Sequence, residues 1–402
     1  MKNIIIFGAG RKGAETIKFF LNSVNVSIVS ICDNDEKKWG KEISGILIES
    51  PSEVLTKKVY DAVIIAIEDY NVVFDDCKRL SKTKVYKSIN EFISEVAYID
   101  ITNGCNAKCL YCITGKTNRN TKKKYEFMSF EKFKSIYQHL INKDIITNET
   151  ELGLFNWGEP FLNPECIDIF DFLSKQKQQF VLSTNAAIYK EAKNEDTYLY
   201  CKRIYFSMPG FSQNSYDRIH GFNVNTIKDN IKKIYNNMLE KGFSGEGIIS
   251  AHVYKFSKPE LDELQKWAEA LGLIVNPYYP YLNGNSLFVK YYKNELDKEY
   301  LSDISSDLHF EKWETVRKNR PLNYKCPISD WLVLDVKGEM VLCCQADEYS
   351  SSYYGWGEVF DLDSYEAYRV KKEKMLMSKS CAECKQYGID YIVSCNIEVP
   401  ID

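Results

Sequence analysis

From Asn3 to Asn276 the chain alternates short apolar runs with stretches of helix length. That order commits it to parallel β/α architecture, because parallel strands need a crossover of a dozen or more residues between them. The first runs are Asn3 to Phe7, Val26 to Cys32, Ala62 to Ile67 and Lys84 to Tyr86, with a helix expected over Arg11 to Leu21. A second series follows at Val96 to Thr102, Leu152 to Phe155, Phe180 to Ser183, Arg203 to Ser207, Gly247 to Val253 and Leu273 to Asn276. These six predict a partial (β/α)6 barrel behind a separate open parallel sheet, an α/β fold overall. The expected divisions are 1–94, 95–282, a charged connector at 283–322 with one helix over Phe310 to Lys318, and a small α+β segment at 323–402. That last segment reads as a hairpin over Trp331 to Leu342, turned at Lys337-Gly338.

A formal net charge of −4 provides no electrostatic footprint for nucleic acid, and the one basic run, Lys122 to Lys124, is short. The first residues lack the apolar run of a signal segment and no stretch of about 18 apolar residues occurs, so the expectation is a cytoplasmic chain without a membrane partner. A reducing compartment argues against disulfides, and thirteen cysteines then read as metal ligands. Three crowd between 105 and 112 and six lie between 326 and 395; Cys32, Cys77, Cys166 and Cys201 stand alone and read as small buried hydrophobes.

Cys105, Cys109 and Cys112 follow a predicted strand with the spacing C-x-x-x-C-x-x-C. Three thiolates on a four-iron cluster leave one iron open to an outside ligand, whereas a structural zinc site wants four ligands. The end of a barrel strand is also where barrel enzymes place their chemistry. This spacing, with an aromatic residue, Tyr111, before the third cysteine, resembles the radical SAM superfamily. The resemblance implies a TIM-type partial barrel and a 4Fe–4S cluster whose open iron chelates the methionine moiety of S-adenosylmethionine (SAM). It further implies reductive cleavage of SAM to a 5′-deoxyadenosyl radical that abstracts hydrogen from substrate. By the same resemblance Tyr111 lies near the adenine, and Asn156-Trp157-Gly158-Glu159-Pro160 stands for the family's G-G-E-P turn, with Gly158, Glu159 and Pro160 at the methionine ammonium. Asn185 and Ser207, at the ends of the third and fourth strands, stand where relatives contact SAM. Two departures are visible: Trp157 replaces the first glycine of the turn, and Met208-Pro209-Gly210 carries no acid after Ser207.

Cys326, Gly338 and Cys343, then Cys381-Ala382-Glu383-Cys384, resemble the SPASM or twitch extension of some radical SAM enzymes. That resemblance implies one auxiliary 4Fe–4S cluster on Cys326, Cys343, Cys381 and Cys384, with Cys344 the alternative to Cys343 and zinc the competing metal. Cys395 is left as a spare ligand, a buried thiol or a hydrogen-atom donor.

Gly8, Gly10 and Gly13 fit G-x-G-x-x-G between a strand and a helix, with Asp33 about twenty residues on, where a pyrophosphate meets a helix N-terminus and an acid meets ribose. This stretch resembles the small Rossmann-like modules attached to surface-sugar enzymes, which implies a nucleotide sugar or NAD(P) as its ligand. Pro277-Tyr278-Tyr279-Pro280-Tyr281 supplies rings and hydroxyls for a sugar or base, His252 and Lys255 are candidate base or anion contacts, and Lys116 and Arg119 read as a solvated basic loop. The favoured function is radical chemistry on a polar small molecule, a sugar or nucleotide sugar, with a flavodoxin- or ferredoxin-type reductant as partner. Modification of a ribosomally made peptide and a non-catalytic iron–sulfur role are the alternatives.

Overall fold

The computed structural model describes all residues except 22, 24, 121–123, 351–354, 396, 398 and 400–402; Lys122 and Lys123 of the basic run fall outside the described residues. The chain divides into two compact units. The first comprises 1–96 with 137–151 and 362–370, and the second 97–136, 152–361 and 371–402.

The first unit is built on β1 (Lys2–Phe7), β2 (Val26–Cys32), β3 (Glu42–Ile43), β4 (Ile46–Glu49), β5 (Ala62–Ile65) and β6 (Lys84–Tyr86), in the order β3-β4-β2-β1-β5-β6. β1 is central because Ile4, Ile5 and Ile6 are apolar toward both faces, as a parallel strand covered on both sides requires. Only the short β3 runs antiparallel, against β4. The β3–β4 hairpin and the helices Pro51–Lys57 and Asn71–Leu80 are missing from the sequence reading. Segment 137–151 joins this unit through Lys2 to Asp144 at 2.8 Å and Ser94 N to Ile145 O at 3.2 Å, and 362–370 through Tyr365 Oη to Asn90 O at 2.6 Å.

The second unit carries β7 (Val96–Ile99), β8 (Glu151–Gly153), β9 (Phe180–Thr184), β10 (Cys201–Met208), β11 (Glu246–His252), β12 (Ile274–Tyr278) and β13 (Leu332–Leu334), in the order β12-β11-β10-β9-β8-β7-β13. The six expected strands are all present in sequential order, and β8 through β12 pair in parallel. β13 was expected only as one arm of a hairpin. Its turn is there, with Gly338 at φ +78° and Asp335 accepting from Lys337 N and Glu339 N at 2.9 Å, but the strand also pairs in parallel with β7 and extends the sheet. Residues 283–322 are also more ordered than their charge suggests. They form the helices Asn285–Tyr292, Lys298–Asp307 and Phe310–Lys318, which bury Phe288, Tyr300 and Trp313 in one apolar cluster with Tyr111 and Tyr254. No helix among the described residues is long and apolar enough to cross a membrane.

Candidate active site

All thirteen cysteines are free thiols, and Cys32, Cys77, Cys166 and Cys201 are buried. Cys105, Cys109 and Cys112 line one chamber of about 550 Å³ in the second unit. The loop that carries them is tied down at both ends. Asn118 Nδ2 donates to the carbonyls of Cys105 and Ala107, Tyr125 Oη donates to Cys105 O at 2.9 Å, and Arg119 Nε donates to Lys108 O at 2.5 Å. Arg119, expected as a solvated cation, is therefore part of the loop's clamp, while the Lys116 ammonium lies 3.8 Å over the Tyr300 ring. Asn283, which sequence reasoning missed, receives Ile113 N at 3.0 Å on its carbonyl and donates through its own N–H to Tyr111 O at 2.9 Å.

Whether these thiols suit an iron–sulfur cluster is tested by what faces their sulfurs. Asn185 Nδ2 points at Cys105 Sγ at 3.7 Å and Asn283 Nδ2 at Cys112 Sγ at 3.9 Å, so amide donors meet the sulfurs as they would meet anionic thiolates. Burial pushes the free Cys105 thiol up to about 12 and raises Cys109 and Cys112 as well; ligation to a metal reverses this by deprotonating a thiol outright. Among the described residues no three Cys, His, Asp or Glu side chains close on one point as the ligands of a single ion do.

The turn after β8 reaches the same chamber. Gly158 passes so close to the segment after β7 that an added Cβ would stand 2.0 Å from Thr102 O, and Glu159 N donates to Gly104 O at 2.7 Å. The Glu159 carboxylate, 4% exposed, accepts from Thr184 Oγ1 and Asn185 N at 2.8 Å and from Phe161 N at 3.2 Å. It pins the turn to the end of β9. Trp157, in place of the first glycine, donates from its backbone to Asp100 Oδ1 at 3.2 Å and from its indole to Ala346 O at 3.0 Å. Pro160 is buried and shapes the turn, and it is not among the residues lining the chamber.

Asp100 makes this turn sensitive to pH. Burial pushes its carboxyl up to about 7, and Asp335 adds to the shift against the hydrogen bonds from the turn. The folded chain thus holds a proton that the unfolded chain releases near 3.8, so the Asp100 contribution to stability falls as pH rises from about 4 to about 7, by on the order of 4 kcal/mol. Asp100→Asn is expected to remove that contribution from the profile, leaving those of Glu159, raised to about 7 by burial, and of the buried His252, which acts in the opposite sense. Urea unfolding of both proteins at either end of the window measures it, and parallel profiles contradict it.

Strand register supplies the rest of the wall. Ser207, Ser250 and Asn276 are direct partners across β10, β11 and β12, and His252 and Tyr278 form the next row on the same face, two residues on. All five line the chamber. Ser207 and His252 were legible in the sequence; Ser250 and Asn276 were not singled out, because alternation places them beside those two only once the strand registers are known. His252 Nδ1 lies 3.1 Å from Tyr111 Oη, and burial lowers its pKa to about 4, leaving a neutral ring. His220, also missed, reaches the chamber from the loop after the helix Gln213–Arg218; it is 2% exposed, and its Nδ1 has no hydrogen-bond partner among the described residues. Of the aromatic loop, Tyr278 and Tyr281 face the chamber, whereas Tyr279 packs on His309. Lys255 turns to Ser305 O at 2.9 Å and takes no place in the lining.

The C-terminal cysteines separate into two groups. Cys326, Cys343, Cys381 and Cys384 line a second, small cavity of about 40 Å³. Cys344 instead lines the large chamber with the first three thiols, and Cys395 lines neither. Lys372 is 4% exposed beside the small cavity, and its ammonium donates to Trp331 O at 2.9 Å and Leu342 O at 2.5 Å. Among the described residues it has no carboxylate at ion-pair distance, and a buried cation of that kind fits beside an anionic cluster held by four thiolates.

In the first unit, Gly8 has φ +117° and an added Cβ on Gly13 would stand 1.9 Å from Gly8 O, so the helix Arg11–Phe20 packs directly on the loop. Gly13→Ala forces backbone apart and is expected to cost about 1–3 kcal/mol or more, read as a lower melting temperature; an unchanged melt contradicts it. Gly8, Gly10 and Asp33 line a cavity of about 490 Å³. The Asp33 Oδ2 is engaged by Ala9 N at 2.7 Å and Lys38 Nζ at 2.9 Å, and Oδ1 by Asp35 N at 2.9 Å. Burial acts to raise the Asp33 pKa, and these donors outweigh it and hold the carboxyl below its usual range. Asp33 thereby closes the glycine loop on itself.

Among solved structures, Streptococcus suis SuiB bound to precursor peptide SuiA is similar at 12% identity, over 75% of this chain and 70% of that one, with a TM-score of 0.48. Native anSMEcpe with bound AdoMet matches at 15% identity, over 72% and 82%, with a TM-score of 0.44. BtrN in complex with AdoMet and 2-DOIA matches at 13% identity, over 74% and 88%, with a TM-score of 0.34. No curated protein matches the chain. Residues 1–95 match the family described as C2185-like, N-terminal. Residues 99–264, which bear the cysteine loop, the Gly158 turn and the four strands β8 to β11, match the Radical SAM superfamily, and the chain carries a domain of that superfamily.

Proposed function

We propose that this chain is an enzyme that holds a 4Fe–4S cluster on Cys105, Cys109 and Cys112, cleaves SAM at it, and acts on a polar small molecule, a sugar or nucleotide sugar. The observation that carries this is the meeting of the three thiols, Gly158, Asn185 and Ser207 on one chamber. A cluster held by Cys105, Cys109 and Cys112 would supply one-electron reductive cleavage of SAM, and with it the means to remove hydrogen from substrate.

The chain's own residues bind, orient and shield. Glu159 keeps the turn's backbone fixed at the chamber wall, where its groups serve the methionine ammonium. The row Ser207, Ser250 and Asn276 offers hydroxyl and amide groups for ribose or carboxylate. Tyr111, with His252 on its hydroxyl, is the side assigned to adenine. Cys326, Cys343, Cys381 and Cys384 hold an auxiliary 4Fe–4S cluster in the SPASM or twitch manner, for electron transfer or substrate positioning. This reading takes β7 to β12 as a partial barrel and the first sheet as Rossmann-like, with the glycine loop receiving a nucleotide. That loop is what favours a nucleotide sugar as substrate class. A flavodoxin- or ferredoxin-type protein is the reductant, and the cytoplasm the setting.

Anaerobic protein reconstituted with iron and sulfide, then given dithionite and SAM, is expected to form 5′-deoxyadenosine, and more of it with UDP-glucose present. Full iron loading without that product overturns the reading in favour of a non-catalytic iron–sulfur protein. A rise with a synthetic peptide library alone overturns the substrate class in favour of peptide modification.

A further inference from the structure

Cys343 and Cys344 are adjacent, yet they face different spaces. Cys343 belongs to the cavity of four thiols, and Cys344 opens on the chamber of the three-cysteine loop. The split is held by the backbone: Lys372 grips the Leu342 carbonyl from one side, and the turn after β8 holds the other. There Trp157 Nε1 donates to Ala346 O at 3.0 Å, and the Asn156 amide, turned to satisfy both of its ends, donates to Cys344 O at 3.0 Å. Cys344 therefore lines the chamber and not the four-thiol cavity, on a backbone held from both sides. A second feature independently marks the same chamber as a ligand site. His220, a ring 2% exposed, lines it, and its Nδ1 has no hydrogen-bond partner among the described residues; an unmet buried ring nitrogen calls for a polar ligand.

We infer that Cys344 is the hydrogen-atom donor to a carbon radical formed on substrate in this chamber. The inference rests on the function proposed above. The S–H bond breaks evenly, the new C–H bond forms at the substrate carbon, and the unpaired electron moves to sulfur. A reductant of the flavodoxin or ferredoxin class then returns one electron, and water returns the proton, restoring the thiol. With the first hydrogen carried off as 5′-deoxyadenosine and the second delivered by Cys344, the substrate carbon ends at its starting oxidation level. SAM is consumed with two electrons and one proton in all. An inversion at carbon, as in an epimerisation, is the outcome this fits.

The test needs no identified substrate. SAM and dithionite are given to reconstituted protein in deuterium oxide, where thiol hydrogens exchange and carbon-bound hydrogens do not. The carbon radical from SAM then takes deuterium from Cys344, and singly deuterated 5′-deoxyadenosine is expected. Cys344→Ala is expected to lower the deuterated fraction several-fold while keeping its iron content. An equal deuterated fraction in the two proteins, or none in the unsubstituted one, overturns the inference. A thiol-alkylation map of the iron-loaded protein, read by mass spectrometry, provides a second measure: Cys344 is labelled and Cys343 protected. The reverse pattern, or iron loss in Cys344→Ala, makes Cys344 a cluster ligand and overturns the inference while leaving SAM cleavage standing. Absence of 5′-deoxyadenosine from the unsubstituted protein counts against the proposed function, and against this inference with it.

Discussion

Replacing any one of Cys105, Cys109 and Cys112 with alanine is expected to reduce SAM cleavage to the assay background and to remove about half of the bound iron, one of two four-iron clusters. The effect is large because the three ligands act as a unit, so one loss forfeits the site and further losses add little. The fold should survive. The loop is held by Asn118, Tyr125, Arg119 and Asn283 through backbone carbonyls and amides, none of which an alanine at the thiol positions disturbs. Iron analysis and 5′-deoxyadenosine on each single and the triple variant check this. A single variant that keeps full iron and turnover contradicts it.

Lys372→Met is expected to empty the four-thiol cavity, removing about half of the iron, and to destabilise the loaded protein by on the order of 3 kcal/mol. Two effects add. Methionine fills similar space and donates nothing, so the carbonyls of Trp331 and Leu342 lose their partner. The anionic cluster also loses a buried positive charge. Unfolding curves and iron content of the variant measure both. Full iron with an unchanged unfolding midpoint shows that the ammonium has no bearing on that cavity.

How far the sequence could be read follows from the kind of signal each feature leaves. β1, β2 and β9 to β12 are long or strongly apolar, and their positions were legible within a residue or two. The helices Asn285–Tyr292 and Lys298–Asp307 were not, because the first is apolar nearly all round and in the second Tyr300 sits among charged residues, so neither shows a sustained helical stripe. β13 was visible as a strand, but its parallel partner is set by tertiary packing that a hairpin pattern does not encode. Within the site, spacing pointed to the three-cysteine loop and to Ser207. Alternation extended that to Ser250 and Asn276 only once the registers of β10, β11 and β12 were known. His220 stands in a loop with no motif, and its burial comes from packing beside Tyr216 and His252. Glycine spacing favoured Cys343 over Cys344 only weakly, since adjacent residues nearly share their spacing and differ chiefly in the side they face.

The central claim is that the three thiols of the Cys105 loop leave one iron open to SAM. Electron paramagnetic resonance of dithionite-reduced Cys384→Ala protein isolates that cluster, because the second site then lacks a ligand. Adding SAM is expected to change the spectrum as its methionine groups occupy the open iron. Superimposable spectra with and without SAM, in samples shown by equilibrium dialysis to have bound it, would contradict the claim.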